Sequence, residues 1–244
     1  MKFTEGYWEK SERANASHAM HAFVVEEIPN GMRVIAPFHK INDRADALDV
    51  GTITTEFTAT RKDIISVRSW HFEGYQKKEP RFELNTDVQD VTVKINDKEA
   101  VMTAGRMQVI VDREEFKITY MADGKVLTTC GFRNLGYMQY DRECLTKFPQ
   151  ENYMAARYTP YMSTELSLAP GECVYGLGER FTSFVKNGQV VDCWNEDGGT
   201  ASQISYKNIP FYMTNKNYGV LVDHTDNVSF EVASEKVEYV GFSV

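Results

Sequence analysis

The sequence has 244 residues, 42% hydrophobic and 25% charged, which are values typical of folded globular proteins. Its 27 lysines and arginines and 35 aspartates and glutamates give a net charge of −8. This charge argues against sequence-independent binding to nucleic acid, because such binding depends on contacts between lysine or arginine side chains and the phosphates. The N-terminal MKFTEGYWEK lacks the apolar run of a signal peptide, and no segment approaches the roughly 18 apolar residues of a membrane span. We therefore expect a cytoplasmic protein with no membrane partner.

Short β-rich runs separated by turn signals occupy the first half of the chain. HAFVVEEI and MRVIAPF flank Pro29-Asn30-Gly31, a pattern that predicts a hairpin, and TITTEFT and DIISVRSWHF follow with clear alternation. Five further runs, VTVKIND, EAVMTAG, RMQVIVD, EFKITYM and KVLTTCGF, recur at intervals of roughly 8 to 12 residues. Asp123-Gly124 is the predicted turn between the last two. Such spacing favours a β-sandwich or barrel.

The second half continues the same pattern. IPFYMTNKNYGVLVDH predicts two strands joined by a turn at Asn217, Tyr218 and Gly219, and VSFEVASEKVEYVGFSV follows. The segments from Asp141 to Phe148 and from Arg180 to Lys186 are short helix candidates. The fold class predicted is therefore all-β and antiparallel with few short helices. Because VEYVGFSV predicts a strand and no polar tail follows it, we expect Val244 to mark a boundary inside a larger protein.

Metal and cofactor motifs are weak. The H-x-x-H formed by His18 and His21 has no second ligand pair, and no C-x-x-C occurs. We expect no metal and no cofactor, and we expect buried free thiols at the four cysteines, which are Cys130, Cys144, Cys173 and Cys193.

The segment GLGER, residues 176–180, superficially matches a dinucleotide fingerprint. The third glycine of G-x-G-x-x-G would fall at Phe181, and no βαβ pattern surrounds the segment. The glycines instead predict a tight turn, with Glu179 and Arg180 ordering neighbouring loops through charge-assisted hydrogen bonds. No G-x-S-x-G motif or phosphate loop supports hydrolysis of esters or phosphates.

The segment VVDCWNEDGGT, residues 190–200, combines an aromatic residue with two adjacent carboxylates. Cleavage of a glycosidic bond by acid–base chemistry requires two carboxyl groups that flank the bond. Glu196 and Asp197 are neighbours in the chain and point to opposite faces of an extended segment, so they are not expected to form such a pair. One carboxylate reaching into a polar pocket beside Trp194 fits a ligand site. The alternative is a plain turn, in which Asp-Gly-Gly is chosen for positive φ and for side-chain bonds to the backbone.

Three ordered blocks in residues 174–224, GLGERF, WNEDGGT and YKNIPFYM, resemble the N-terminal domain of glycoside hydrolase family 31, most closely its bacterial α-xylosidases. The similarity extends over the whole chain and includes AVMTAGRMQVIVDREEFKITYMADGKVL. It implies that residues 1–244 form a β-supersandwich of the galactose-mutarotase type, ahead of a (β/α)8 barrel that carries the two catalytic aspartates of a retaining mechanism. This chain would then hold no catalytic residue, and we expect it to hydrolyse no xyloside alone.

The resemblance also implies roles for individual residues. The WNEDGGT loop corresponds to one that reaches over the barrel mouth, which makes Asp197 the carboxylate that bonds a sugar hydroxyl, with Trp194 and Phe181 as wall or support. Asp49 in ADALDVG corresponds to an acidic residue near the leaving group, across a contact with a second subunit, although a solvated loop aspartate is the plainer interpretation. The implied partners are an α-xyloside or α-glucoside, the barrel of the same protein, and a second copy of the chain.

Two alternatives remain open at this stage. The parent could be an α-glucosidase of the same family, because xylose and glucose differ by one hydroxymethyl group. A free-standing carbohydrate-binding or mutarotase-like module is the other alternative. A mutarotase requires a histidine and a glutamate in one cleft, and His39, His71 and His224 have no partner that the sequence identifies.

Overall fold

The computed structural model describes residues 1–6, 9–74, 89–141, 158–196 and 202–244. These residues form strands, turns and loops, and no helix occurs among them. The strands are β1 Thr4–Glu5, β2 Glu9–Lys10, β3 Ala14–His18, β4 Val24–Ile28, β5 Gly31–Pro37, β6 Thr52–Arg61, β7 Ile64–Trp70, β8 Val91–Ile95, β9 Glu99–Ala104, β10 Met107–Asp112, β11 Lys117–Ala122, β12 Lys125–Cys130, β13 Leu135–Asp141, β14 Tyr158–Ser167, β15 Val174–Gly176, β16 Gln189–Cys193, β17 Phe211–Thr214, β18 Gly219–Leu221, β19 Val228–Val232 and β20 Tyr239–Ser243. The all-β class is confirmed.

The chain divides into two compact units. The first unit comprises Met1–Ala16 and Met138–Val244, and the second comprises Ser17–Tyr137. The boundaries between them fall within β3 and near the middle of β13.

The second unit contains a four-stranded sheet, β4-β5-β6-β7, and a five-stranded sheet, β12-β11-β10-β9-β8. Consecutive strands pair antiparallel, as expected for hairpins joined by short turns. Pairing of Ile28 with Gly31 leaves the two-residue turn Pro29-Asn30, in which Asn30 has a φ of 60°. This confirms the first predicted hairpin.

The second predicted hairpin of this unit is also confirmed. Ala122 pairs with Lys125, and the intervening Asp123 and Gly124 have φ values of 50° and 73°. Positive φ at both central residues matches the right-handed twist of the flanking strands, which is why Asp-Gly is favoured there.

Period-2 alternation defines the buried faces of both sheets. In β6 the side chains of Ile53, Thr55, Phe57 and Ala59 are buried, and their neighbours are partly exposed. The five-stranded sheet shows the same pattern, with Ala100, Met102 and Ala104 buried in β9 and Val109 and Val111 in β10. Each sheet therefore has one core face, as the sequence predicts.

The first unit contains a six-stranded sheet, β16-β19-β20-β14-β13-β3, a three-stranded sheet, β15-β17-β18, and the small pair β1-β2. Its main core is one cluster contributed by both larger sheets, in which Tyr212 of β17 lies edge-on to Phe230 of β19 with ring centroids 6.3 Å apart. Leu177, which directly follows β15, is fully buried in the same cluster. The three-stranded sheet therefore covers one face of the larger sheet.

The helix predicted from Arg180 to Lys186 is wrong, because these residues form an irregular loop. Three apolar side chains that a helix would bury, those of Phe181, Phe184 and Val185, are exposed. The backbone N–H of Lys186 instead donates to the carbonyl of Val174, at 2.8 Å, which ties this loop to β15. For the other helix candidate, Asp141 ends β13, and residues 142–148 lie outside the described residues.

Candidate functional site

The GLG turn after β15 is pressed against the segment that leads into β17. Leu177 and Gly178 have φ values of 65° and 87°, and the Leu177 N–H donates to the Phe211 carbonyl at 2.9 Å. A Cβ at Gly178 would lie 2.1 Å from the carbonyl oxygen of Lys207. Only glycine fits this approach, so the two glycines serve backbone packing and not phosphate binding.

Arg180, which follows this turn, joins three separate segments through its guanidinium group. Its Nε donates to the Leu177 carbonyl at 3.0 Å, and its two terminal nitrogens donate to the carbonyls of Gln203 and Asp192, each at 2.9 Å. It also donates to the side-chain oxygen of Asn208. A planar fork of donors suits this arrangement, and a lysine ammonium could not reproduce it.

Asn208 is the second organising residue, and the sequence analysis missed it. Its Oδ1 accepts from Arg180, and its Nδ2 donates to the carbonyls of Trp194, at 2.7 Å, and Ser205, at 2.8 Å. Its Nδ2 also lies 3.0 Å from Oδ1 of Asn195. Asn208 thereby holds Trp194 and Asn195, which directly precede the acidic residues of WNEDGGT, against its own YKNIPF segment.

A cavity of about 280 Å³ lies beside this network. It is lined by Cys193, Trp194, Asn195, Asn208, Pro210, His224, Thr225, Asp226 and Val228. Trp194 is 49% exposed, so this aromatic residue of the lining is accessible to a ligand. His224, Thr225 and Asp226 are exposed polar residues of the same lining.

The thiol of Cys193 forms part of the apolar lining of this cavity. Burial raises its pKa, and the nearby guanidinium of Arg180 acts in the opposite direction. A raised pKa favours the protonated thiol, and burial of Cys193 makes it a small, largely apolar residue of the lining. An aromatic residue together with a few polar groups is the general composition of small-molecule sites.

The remaining residues of the predicted site have different placements. Asp197 lies outside the described residues. Glu179 is exposed and pairs with Lys207 at 3.2 Å, and its main-chain N–H and carbonyl also bond to the 205–207 segment. Phe181 is 68% exposed and does not line the cavity.

Asp49 belongs to the second unit. It lies in the loop between β5 and β6, is exposed, and has a φ of 58°. An aspartate tolerates this left-handed conformation better than most residues do, so the turn itself accounts for its occurrence there.

Among the described residues, no group of three histidine, cysteine, aspartate or glutamate side chains is arranged to hold a metal ion. Cys130 and Cys193 are buried cysteines and Cys173 is a partly exposed one, none of the three in a disulfide, and Cys144 lies outside the described residues. Within the same part of the chain no helix has the length and apolar character needed to cross a membrane.

These features define an all-β domain whose loops frame a cavity lined by Trp194 and by polar residues that include Asp226. The model of the glycosyl hydrolase 31 N-terminal galactose mutarotase-like domain matches residues 54–231. This match covers most of the chain, and the chain belongs to that family.

The relatives of this chain include longer proteins. The chain is 36% identical over 244 residues to the α-xylosidase XylQ of Lactiplantibacillus pentosus, a match that covers 100% of the chain and 30% of that protein. It is 36% identical over 256 aligned residues to an α-xylosidase of Emericella nidulans, covering 100% of the chain and 32% of the relative. The chain therefore spans about a third of the length of these relatives.

Solved structures share the fold at low sequence identity. The cycloalternan-forming enzyme from Listeria monocytogenes matches 95% of this chain with 20% of its own length, at a TM-score of 0.71 and 13% identity. A family 31 dextranase from Flavobacterium johnsoniae matches 93% of this chain with 25% of its own length, at a TM-score of 0.65 and 16% identity.

Proposed function

We propose that this chain is the accessory N-terminal domain of a retaining α-glycosidase that acts on α-xylosides. The observation that carries the proposal is 36% identity over the whole chain to two α-xylosidases, one bacterial and one from Emericella nidulans. The aspartates that perform the chemistry would lie on a (β/α)8 barrel outside these residues. We expect the 244 residues alone to have no hydrolase activity.

The family assignment extends to the arrangement of the sheets. We infer that residues 1–244 act as one domain, a β-supersandwich of the galactose-mutarotase type. The all-β composition, the antiparallel pairing and the core shared by the two larger sheets of the first unit are compatible with this fold.

The proposed role of the WNEDGGT loop is to complete the sugar pocket. Asp197 would accept a hydrogen bond from a sugar hydroxyl, and Trp194 would supply an apolar wall for the pyranose ring. The network of Arg180 and Asn208 supports this role, because it holds the carbonyl of Trp194 and the side chain of Asn195 in place immediately before the acidic residues. Glu179 and Phe181 would support the same loop from outside the cavity.

The other partners follow from the same proposal. The domain would pack on the barrel of its own protein, and Asp49 would approach the leaving group of a second copy in a homo-oligomer. The protein would work in the cytoplasm without cofactor, metal, nucleic acid or membrane.

The test uses the full-length protein that carries this chain, with an α-xyloside and the matching α-glucoside as substrates. A hydrogen bond from a sugar hydroxyl to a buried carboxylate contributes about 1.5 to 3 kcal/mol. We therefore expect Asp197→Ala to lower kcat/KM by about tenfold or more. Glu196→Ala is the matched control, because this neighbouring carboxylate is exposed, and we expect its kcat/KM to stay at the wild-type value.

Unchanged kinetics for Asp197→Ala would reduce the loop to a turn with no part in substrate binding. A higher kcat/KM for the α-glucoside than for the α-xyloside would favour the α-glucosidase alternative.

A further inference from the structure

The outer face of the three-stranded sheet β15-β17-β18 is apolar. In β17, Phe211 and Met213 point away from the core, and Tyr212 and Thr214 between and after them are buried. Phe211 pairs with Leu221 of β18, and Met213 pairs with Tyr175 of β15, so these four side chains share one face. Met213 is 52% exposed and Leu221 is 58% exposed.

Two further contacts make this face continuous. The ring of Phe184 lies 5.3 Å, centroid to centroid, from that of Tyr175, and Phe184 is itself 78% exposed. The ring of Phe211 covers Gly219, where an added Cβ would lie 2.7 Å from the ring. We call Tyr175, Phe184, Phe211, Met213 and Leu221 the outer apolar face.

In an antiparallel sheet with one solvated face, the residues on that face are usually polar. The outward-facing residues of this sheet are apolar instead. The outward residues of β17 and β18 are Phe211, Met213, Gly219 and Leu221, and none of them is charged. A contiguous exposed apolar surface of this kind marks an interaction site. Pro210, which lines the cavity, directly precedes Phe211, so the outer apolar face adjoins the cavity rim.

We propose that the outer apolar face docks against the remainder of the longer protein to which this chain corresponds. The chain spans only 30% and 32% of its two α-xylosidase relatives, which leaves more than two thirds of such a protein to provide a partner surface within the same polypeptide. Interfaces between domains of one chain bury roughly 600 to 1,500 Å², and the outer apolar face would form the apolar part of such an interface.

This inference rests on the proposed accessory role and specifies the surface that performs it. Docking here would place the partner beside the cavity, so the cavity would become a closed pocket only in the longer protein. A partner in the same polypeptide is favoured over a second copy because linkage gives it a millimolar effective concentration.

The experiment measures thiol labelling in the full-length protein. Leu221→Cys and Met213→Cys are treated with a maleimide, and the labelling at each position is followed by peptide mass spectrometry, which separates it from the native cysteines. Val126→Cys is the matched control, because Val126 lies on β12 of the other unit and is 57% exposed. Each rate is divided by the rate of the same variant unfolded in guanidinium, and the wild-type protein is assayed in parallel with an α-xyloside.

We expect Leu221→Cys and Met213→Cys to label at least about tenfold more slowly than in the unfolded protein, because a docked surface excludes the reagent. Labelling of these two variants at the unfolded rate would overturn the proposal, even if the wild type hydrolyses the α-xyloside. Protection that disappears on dilution would also overturn it, because the partner would then be a second copy. Protection without any hydrolysis would support docking and contradict the proposed enzymatic function instead.

Discussion

Arg180→Ala removes the side chain that joins the GLG turn, the end of β16 and the segment before β17. The guanidinium group donates to the carbonyls of Leu177, Asp192 and Gln203 at 2.9 to 3.0 Å and to the side chain of Asn208. A net contribution of about 1 kcal/mol for each hydrogen bond, lowered where water can replace the donor, gives a loss of about 2 to 4 kcal/mol.

Urea unfolding of the 244-residue chain measures this loss, and amide hydrogen exchange locates it. The N–H of Glu179 donates to the Lys207 carbonyl at 2.9 Å, and the N–H of Glu196 donates to the Ser205 carbonyl at 3.1 Å, so both amides report on the joined segments. We expect faster exchange at both amides in Arg180→Ala. Arg180→Lys should recover less than half of the loss, because a single ammonium lacks the planar fork.

The control is Lys207→Ala, which removes an ion pair whose side chains are 69% and 74% exposed. Solvated pairs of this kind contribute little, so the free energy of unfolding should not change measurably. The assigned role of Arg180 is refuted if Arg180→Ala stays within about 0.5 kcal/mol of the wild type, the range of ordinary surface substitutions.

Two further predictions concern backbone packing and pH. In urea unfolding, Gly178→Ala should lower the free energy of unfolding by about 1 to 3 kcal/mol more than the control Gly188→Ala does. Both glycines have positive φ, but only at Gly178 would the added Cβ meet backbone, 2.1 Å from a carbonyl oxygen. Equal losses in the two variants would contradict this explanation. Burial, followed by neighbouring positive charges, lowers the pKa of His21 below its ordinary value of 6.5. The folded state then favours the neutral imidazole, so the stabilisation is present above the unfolded pKa and is lost as pH falls from about 7.5 to about 5.5. The fall in Tm over this interval should be smaller in His21→Gln, and a fall of wild-type size in that variant would contradict the assignment.

Local pattern was sufficient to predict the fold class. Alternation of apolar and polar residues marks the strands, and Asn30 and the Asp123-Gly124 pair mark turns because few other residues accept positive φ. The prediction of a helix from Arg180 was wrong because a tertiary contact shapes this segment. A backbone hydrogen bond from Lys186 to β15 holds it as a loop, and local helix propensity contains no information about that bond. The division into two compact units also has no local signal, because strands recur at similar spacing along the chain.

The candidate site was predictable only in part. The cluster of Trp194 with acidic residues and glycines indicated a ligand loop, and the charge of Arg180 indicated a role in ordering loops. The acceptors of Arg180 include residues 12, 23 and 28 positions away in sequence, so their identity depends on tertiary structure. Asn208 gave no signal by itself, because a single asparagine before Ile-Pro is equally typical of an ordinary turn.

The accessory role is tested most directly by calorimetric titration of the 244-residue chain with isoprimeverose, an α-xylosyl disaccharide. A domain that contributes only one loop to a pocket completed elsewhere lacks most of the contacts that fix a sugar. We therefore expect no binding tighter than about millimolar, which corresponds to a free energy of about −4 kcal/mol. Micromolar binding by this chain alone would contradict the accessory role and identify a self-sufficient carbohydrate-binding module.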